Sequence, residues 1–298
     1  MEIKYSGFVS IAGLPNVGKS TLLNALMGEK LAIVSPRAQT TRGKVVGIRT
    51  EGERQVVFID TPGVHAPHNA LGQTMNKTAG EATADTDVVI LVTTVKKGVS
   101  PLEEKIIKGI QAANQKSILV INKVDTVKDK PRIMQTIAAF SALHSFDAVV
   151  PMSARNKKGL SILEQELWKL IPEGIAYYPP DMTTETPDGE YCAEIIREKL
   201  LLSLSEEVPH GIAVEVYRMA QRDNDVIDID ANIICEKDSH KAIIIGKGGE
   251  KLKAVASASR KEIEAYFGYK VNLQTWVKVR DDWRNDPRAL RSLGFGLE

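Results

Sequence analysis

Short runs of aliphatic and β-branched residues recur through the first half of the chain, at 8–12, 45–48, 56–59, 88–92, 117–121 and 148–151. Each is the length of one buried strand, and stretches suited to helices separate most of them. This alternation predicts an α/β domain with a mainly parallel sheet flanked by helices on both faces. The second half has another rhythm. Cys192, Ile196, Leu200 and Leu204 repeat every four residues, the stripe of an amphipathic helix. Ile212, Val214 and Val216 alternate as a strand, Asp223-Asn224-Asp225 marks a turn, and Ile227, Ile229, Ala231, Ile233 and Cys235 alternate with Asp228, Asp230 and Asn232. A helical pattern follows through Leu252, Val255, Ser259, Ile263 and Phe267, then a last alternation over Val271, Leu273, Thr275, Val277 and Val279. Between the halves, residues 172–180 carry three prolines and a glycine, and the chain stays polar to Gly189. We therefore expect domains at 1–175 and 191–298 joined by a linker at 176–190.

At 298 residues, 43% hydrophobic and 26% charged, the chain has the composition of globular proteins that bury proper cores, which excludes disorder as its ground state. No apolar run approaches the ~20 residues that span a bilayer, and the first five residues lack a signal-peptide core, so a cytoplasmic location is expected. The two cysteines, Cys192 and Cys235, lack metal-ligand spacing and fall on apolar stripes, as buried thiols do. Net charge is +1, but the charges are segregated. Residues 181–236 hold 4 basic against 14 acidic side chains, whereas 237–280 hold 10 against 4. The basic block marks a surface for a polyanion; the acidic stretch is expected to form a face turned away from it, or solvated edges, rather than a second site.

Chemistry concentrates where predicted strands end, the place where open α/β sheets bind ligands. The first apolar run leads into Gly13-Leu14-Pro15-Asn16-Val17-Gly18-Lys19-Ser20, with the spacing G-x-x-x-x-G-K-S, and then into a helix beginning near Thr21. Such a turn cradles phosphates on backbone N–H groups at a helix N-terminus. Lys19 would reach the outer phosphates and Ser20 would offer its hydroxyl to Mg²⁺, so all of Gly13, Pro15, Asn16, Val17, Gly18, Lys19, Ser20 and Thr21 are candidate nucleotide contacts. A polar loop at 35–42 holds two threonines, Thr40 and Thr41, either of which could meet Mg²⁺ when a γ-phosphate is present; we prefer Thr41. The third strand ends in Asp60-Thr61-Pro62-Gly63, which puts a carboxylate near the metal and the Gly63 N–H near the γ-phosphate. Val64 follows where Ras-like enzymes carry a water-orienting glutamine, and His65 stands next to it. The fifth strand ends in Asn122-Lys123-Val124-Asp125. The Asp125 carboxylate can accept from both N1–H and the 2-amino group of guanine, a donor pair adenine lacks, which selects GTP and GDP over ATP. Asn122 and Lys123 would brace that loop, and at Ser153-Ala154 a backbone N–H could meet the guanine oxygen.

Taken in order, GLPNVGKS, a threonine-bearing loop, DTPG, NKVD and SA resemble the translation-factor class of P-loop GTPases. In the second half, the order helix, strand, strand, helix, G-x-x-G, helix, strand resembles a type II KH domain. Ile245, Gly246, Lys247, Gly248, Gly249, Lys251 and Lys253 are its candidate RNA contacts, because the glycines let single-stranded nucleic acid approach the backbone. A GTPase domain followed directly by such a domain is similar to the bacterial Era family across essentially the whole chain. Gln39-Thr40-Thr41-Arg42, Glu194 to Leu200, the segment Trp276-Val277-Lys278-Val279 and the stretch 288–294 agree with that likeness. The resemblance implies a GTPase, with Lys19, Thr41, Gly63 and Asn16 as catalytic candidates and Ser20, Thr41 and Asp60 around Mg²⁺. It implies binding to the 3′ end of 16S ribosomal RNA, a role in maturing the 30S subunit, peripheral contact with the inner membrane, and a monomer. In similar GTPases an asparagine at the position of Asn16 goes with activation by K⁺, and Val64 in place of glutamine implies intrinsic turnover on the order of 10⁻³ s⁻¹ or below. Two other readings stay open at this level: an RNA-binding module with a non-hydrolysing nucleotide sensor, and a membrane-associated signalling GTPase.

Overall fold

The first apolar run forms the middle of β1 (Tyr5–Gly13), and the sheet grows outward from it. β1 pairs in parallel with β3 (Arg54–Asp60) on one side and β4 (Val88–Thr94) on the other; β2 (Val45–Glu51) adds antiparallel to β3. β5 (Lys116–Asn122) and β6 (Ala148–Pro151) continue in parallel, giving the order β2-β3-β1-β4-β5-β6. This is the mainly parallel sheet expected from the alternation. Residues 88–92 are fully buried, as a central strand covered on both faces must be. On one face pack α1 (Lys19–Met27) through Leu22, Leu23 and Leu26, and α5 (Leu160–Leu170) through Leu163 and Leu167. After β3 comes α2 (Ala70–Ala84), and the other face is covered by α3 (Pro101–Ala112) and α4 (Pro131–Ser141), with Ile107 and Phe140 in contact with Leu119 and Ile121. Each such Leu, Ile or Phe side chain adds roughly 1.5–3 kcal/mol by leaving water. α3 starts where it does because Ser100 and Glu103 form a capping box and Pro101 holds the first helical position.

In the computed structural model, residues 2–37, 40–64, 67, 69–204, 208–222 and 225–295 are described. Gln39, His65 and the Asp223-Asn224 part of the expected turn lie outside them. The chain divides into two units, the first made of Met1–Ala32, Thr41–His68 and Gly72–Glu185, the second of Ile33–Thr40, Asn69–Leu71 and Thr186–Glu298. The proline-rich stretch at 172–184 is fastened along the first unit. Gly174 N–H donates to the Lys4 carbonyl (2.9 Å), Tyr177 and Tyr178 N–H donate to Gln55 Oε1 (2.8 and 3.0 Å), and Ile48 N–H donates to the Thr183 carbonyl (2.8 Å).

The second unit begins with α6 (Asp188–Ser203), whose stripe of Cys192, Ile196 and Leu200 is fully buried. It packs on a sheet of β7 (Ala213–Gln221), β8 (Val226–Cys235) and β9 (Lys270–Val279), antiparallel between β7 and β8 and parallel between β8 and β9. α7 (Asp238–Ile245) and α8 (Glu250–Phe267) make the parallel crossover, and a short α9 (Pro287–Ser292) follows. Ile227, Ile229, Ala231, Ile233 and Cys235 of β8 face the helices and are almost fully buried. Within this unit α6 also holds Val34, Arg37 and Thr40. Arg197, 1% exposed, is forked onto Glu194 and donates to the Thr40 carbonyl; Val34 N–H donates to Glu198 Oε1 (2.8 Å), and Arg37 donates to the Leu204 carbonyl (2.7 Å).

Candidate nucleotide and RNA sites

The phosphate cradle is the turn from β1 into α1, and its backbone requires its glycines. Gly18 has φ 99°, and a Cβ there would stand 2.4 Å from Asn122 Nδ2; at Gly13 it would meet the Val92 carbonyl at 2.3 Å. Asn16 also adopts a left-handed φ of 61°. Lys19 is buried behind the loop, its ammonium donating to the carbonyls of Gly13 (3.3 Å) and Leu14 (3.1 Å). Burial pushes its pKa down, against the pull of Asp60. Pro15, Val17 and Thr21 belong to the same turn and helix start, with Val17 buried.

Ser20, Thr41 and Asp60 converge, although they come from α1, the loop before β2 and the end of β3. Ser20 Oγ lies 2.7 Å from both Thr41 Oγ1 and Asp60 Oδ2, and Thr41 donates to Asp60 Oδ2 at 3.3 Å. Thr40 instead bonds to Ser35 Oγ and the Arg37 carbonyl, each at 2.7 Å. Asp60 is 0% exposed, and its Oδ1 has no hydrogen-bond partner among the described residues. Burial raises the Asp60 pKa, while Lys19, the Ser20 and Thr41 hydroxyls and the Thr61 N–H oppose the rise. Two hydroxyls and a carboxylate with one oxygen unspent make an all-oxygen donor set suited to Mg²⁺. Gly63 follows against the cradle: a Cβ there would come within 2.7 Å of Pro15 Cα and N, and Val64 N–H donates to the Gly13 carbonyl (3.3 Å).

At the end of β5, Asn122 is the brace. Its Nδ2 donates to the Val17 carbonyl (2.9 Å), and its Oδ1 accepts from the N–H groups of Lys123 (2.8 Å) and Ala154 (2.9 Å). The expected meeting of a Ser153-Ala154 N–H with the guanine oxygen therefore has a competitor, because the Ala154 N–H is already given to Asn122. Lys123, at φ 60°, donates to the Asn16 carbonyl (2.5 Å), and Asp125 is exposed in a 3-10 turn at Val124–Thr126. A cavity of about 350 Å³ lies beside Asn16 and Lys123, lined also by Thr93, Thr94, Lys96 and Thr126. Thr93, Thr94 and Lys96 carry no motif, and the pairing of β4 with β5 brings them beside Thr126, which directly follows Asp125.

In the second unit, the G-x-x-G turn joins α7 to α8. Gly246, Gly248 and Gly249 have φ of 72°, 59° and 83°, and nothing stands within 4 Å of a Cβ placed on Gly248 or Gly249, so this backbone is open to a ligand. Lys247 and Lys253 are exposed, while Ile245 and Lys251 are half-buried, Lys251 lying against Gly246.

Comparison with known proteins agrees with this geometry. Residues 8–123 match the model of the 50S ribosome-binding GTPase family, and residues 207–284 match the KH domain. The GTPase Era of Caldicellulosiruptor saccharolyticus is 46% identical over 296 residues, covering 98% of both chains. The chain belongs to the Era family of GTPases. The GTPase Era of Clostridium novyi is likewise 46% identical, over 97% of this chain and 98% of its own. A tyrosine-to-alanine variant of Aquifex aeolicus Era bound to GDP and AlF4⁻ superposes with a TM-score of 0.94 at 37% identity, covering 98% of this chain and all of that one. An Era structure with MgGDPNP and nucleotides 1506–1542 of 16S ribosomal RNA gives the same score and identity, over 99% of this chain. Guanine nucleotide and Mg²⁺ are thus the ligands of the family fold, and among the described residues no helix is long and apolar enough to cross a membrane.

Proposed function

We propose that this chain is a GTP-hydrolysing switch that binds the 3′ end of 16S ribosomal RNA through residues 245–253 and assists maturation of the 30S subunit. The observation that carries the switch is the convergence of Ser20, Thr41 and Asp60 around an unpartnered buried carboxylate oxygen. Mg²⁺, when bound there, supplies charge that stabilises the transferring phosphoryl group. The chain's own part is to place donors: backbone N–H groups of 13–20 around the phosphates, Lys19 turned from carbonyls to phosphate, and Gly63 N–H towards the γ-phosphate. Thr41 follows the loop at 33–40, so loss of the γ-phosphate releases that loop. RNA recognition is supported by the open glycine turn and by the Era structure holding 16S RNA.

The test is fluorescence anisotropy with a labelled RNA of the 16S 3′ end. A non-hydrolysable GTP analogue should give tighter binding than GDP; equal affinities would refute the switch. For hydrolysis, Asn16 is the residue that would answer K⁺. Replacing Asn16 with Ala should remove any difference in phosphate release between K⁺ and Na⁺ buffers, and persistence of the difference would remove Asn16 from that role.

A further inference from the structure

The sheet of the second unit has a second face. Opposite the helices, β8 presents Asp228, Asp230, Asn232 and Ile234, and β9 sets Asn272, Gln274, Trp276 and Lys278 beside them in register. From the other edge strand, Tyr217 occupies the bulge between Val216 and Arg218 and turns onto the same face. Tyr217 is 51% and Trp276 40% exposed, their ring centroids 6.0 Å apart, with Lys278 Nζ 5.8 Å from the Tyr217 ring. The register puts Asn232 in the layer of this pair. Asn232 is 7% exposed; its Nδ2 has only a 3.5 Å contact to Glu215, and its Oδ1 has no partner among the described residues. An acceptor so deeply placed and left unpaired is costly, and a donor from outside would satisfy it.

The acidic row of β8 does not repel a polyanion here, because it is paired. Arg222 forks onto Asp228 with two contacts of 2.6 Å, Asn272 adds a third at 2.8 Å, and Arg218 reaches Asp230 at 3.4 Å. The exposed cation left beside the two rings is Lys278, with Arg218 and Arg222 already engaged by these carboxylates and Glu215 of β7 on the same face against Asn232. β9 is an edge strand of the sheet.

We propose that this face is a base-stacking platform for single-stranded RNA running on from the glycine turn, a proposal that rests on the reading of 245–253 as the RNA clamp. A nucleobase stacks on Trp276 or Tyr217, Lys278 meets a phosphate, and a base amino group or ribose 2′-OH donates to Asn232 Oδ1. Rings that carry bases without sequence preference, next to a cation that tracks the backbone, are how single strands are held. The platform revises the expectation that the acidic stretch as a whole faces away from RNA.

The experiment compares two RNAs from the 16S 3′ end, one of four nucleotides, the size a KH clamp holds, and one about eight nucleotides longer. Trp276→Ala should weaken the longer RNA about tenfold and leave the short one unchanged, since stacking on one ring is worth that order of affinity. Trp276→Phe keeps a ring and should bind the longer RNA nearly as the parent does, yet lose the quenching of tryptophan emission that this RNA causes. Trp283 is fully buried and Trp168 half-buried, so the signal reports on Trp276. Unchanged affinity of Trp276→Ala for the longer RNA, or unchanged quenching in Trp276→Phe, overturns the platform and leaves the pair as a protein-facing patch. Gly248→Asp should weaken both RNAs. If it weakens neither, the clamp reading falls, and the platform, which depends on it, falls too.

Discussion

Asn122 offers the sharpest test of how the nucleotide site is built. Its side chain makes three hydrogen bonds to three separate segments: the phosphate cradle through the Val17 carbonyl, its own loop through Lys123 N–H, and the loop after β6 through Ala154 N–H. The residue is 2% exposed, and the bonds to Val17 and Ala154 are buried. Replacing Asn122 with Ala leaves two buried backbone groups without partners at roughly 1–3 kcal/mol each, and one more that water can reach at a smaller cost. The sum is about 4 kcal/mol, a large share of the roughly 5–15 kcal/mol by which a domain is stable. Part of the loss appears in unfolding and part in binding, since nucleotide can be held only where all three segments are in place.

The assay is urea unfolding of the full chain, followed by circular dichroism, with and without saturating GDP, together with GDP titration of the folded protein. Asn122→Ala should lower the unfolding midpoint without nucleotide and weaken GDP by about a hundredfold or more, at 1.4 kcal/mol per tenfold. Asn122→Asp keeps the two accepted bonds but turns a carboxylate towards the Val17 carbonyl, so it should fall between parent and Ala in the neighbourhood of neutral pH. A variant Asn122→Ala that unfolds within 1 kcal/mol of the parent and binds GDP within threefold would refute the view that this side chain ties the site together.

Other residues answer to separate measurements. Asp125→Asn replaces an acceptor by an amide, so affinity for guanine nucleotides should drop by two orders of magnitude or so while xanthine nucleotides gain, as read by competition binding. Gly63→Ala would force a methyl within 2.7 Å of the Pro15 backbone, and single-turnover GTP hydrolysis should fall at least tenfold; an unchanged rate would mean that the turn and cradle move apart freely. For Glu103, burial works to raise the carboxyl pKa, but Lys96, the Ser100 hydroxyl and N–H and the Thr93 hydroxyl outweigh it and hold the group below its ordinary value. A carboxyl depressed on folding stabilises the protein above its unfolded pKa and loses that contribution as pH falls through the lower folded value. The melting-temperature gap between the parent and Glu103→Gln should therefore be full at pH 6 and shrink below pH 4.5; a gap independent of pH would contradict it.

The nucleotide motifs were legible in the sequence because their chemistry is local. Two glycines, a lysine and a serine at fixed spacing fix one turn, and each strand end carries its own polar group at the same edge of a parallel sheet. Both fold classes were legible for a similar reason, since burial on two faces or on one leaves its period in the chain. What the sequence did not carry are contacts set by register and by long returns. Residues 176–190 read as a linker, yet Gln55, one residue of β3, fastens both Tyr177 and Tyr178 from 122 and 123 positions away. Arg197 reads as one more charge on a helix, and only its carbonyl partner at Thr40 and its fork with Glu194 make its burial tolerable.

Charge balance was the least reliable guide, and β8 shows why. Counting 181–236 gives a strongly acidic stretch and an inference about where a polyanion cannot go. Yet Asp230 lies directly opposite Arg218 of β7, and Asp228 is held by Arg222 just beyond the end of that strand, whereas Trp276 and Lys278 of β9 enter the same face from 44 residues further along than their partners on β8. A strand's outward row meets rows from two other strands, so the sign of a sheet face belongs to the pairing and not to any one segment. The bulge at Tyr217 sharpens the point: without that extra residue the alternation of β7 would give Arg218 and Tyr217 opposite faces. The irregularity thus sets Arg218 beside Tyr217 on one face, and deleting Tyr217 should keep Arg218 opposite Asp230 in a regular strand while leaving Trp276 more open to water, read as a red shift of its emission.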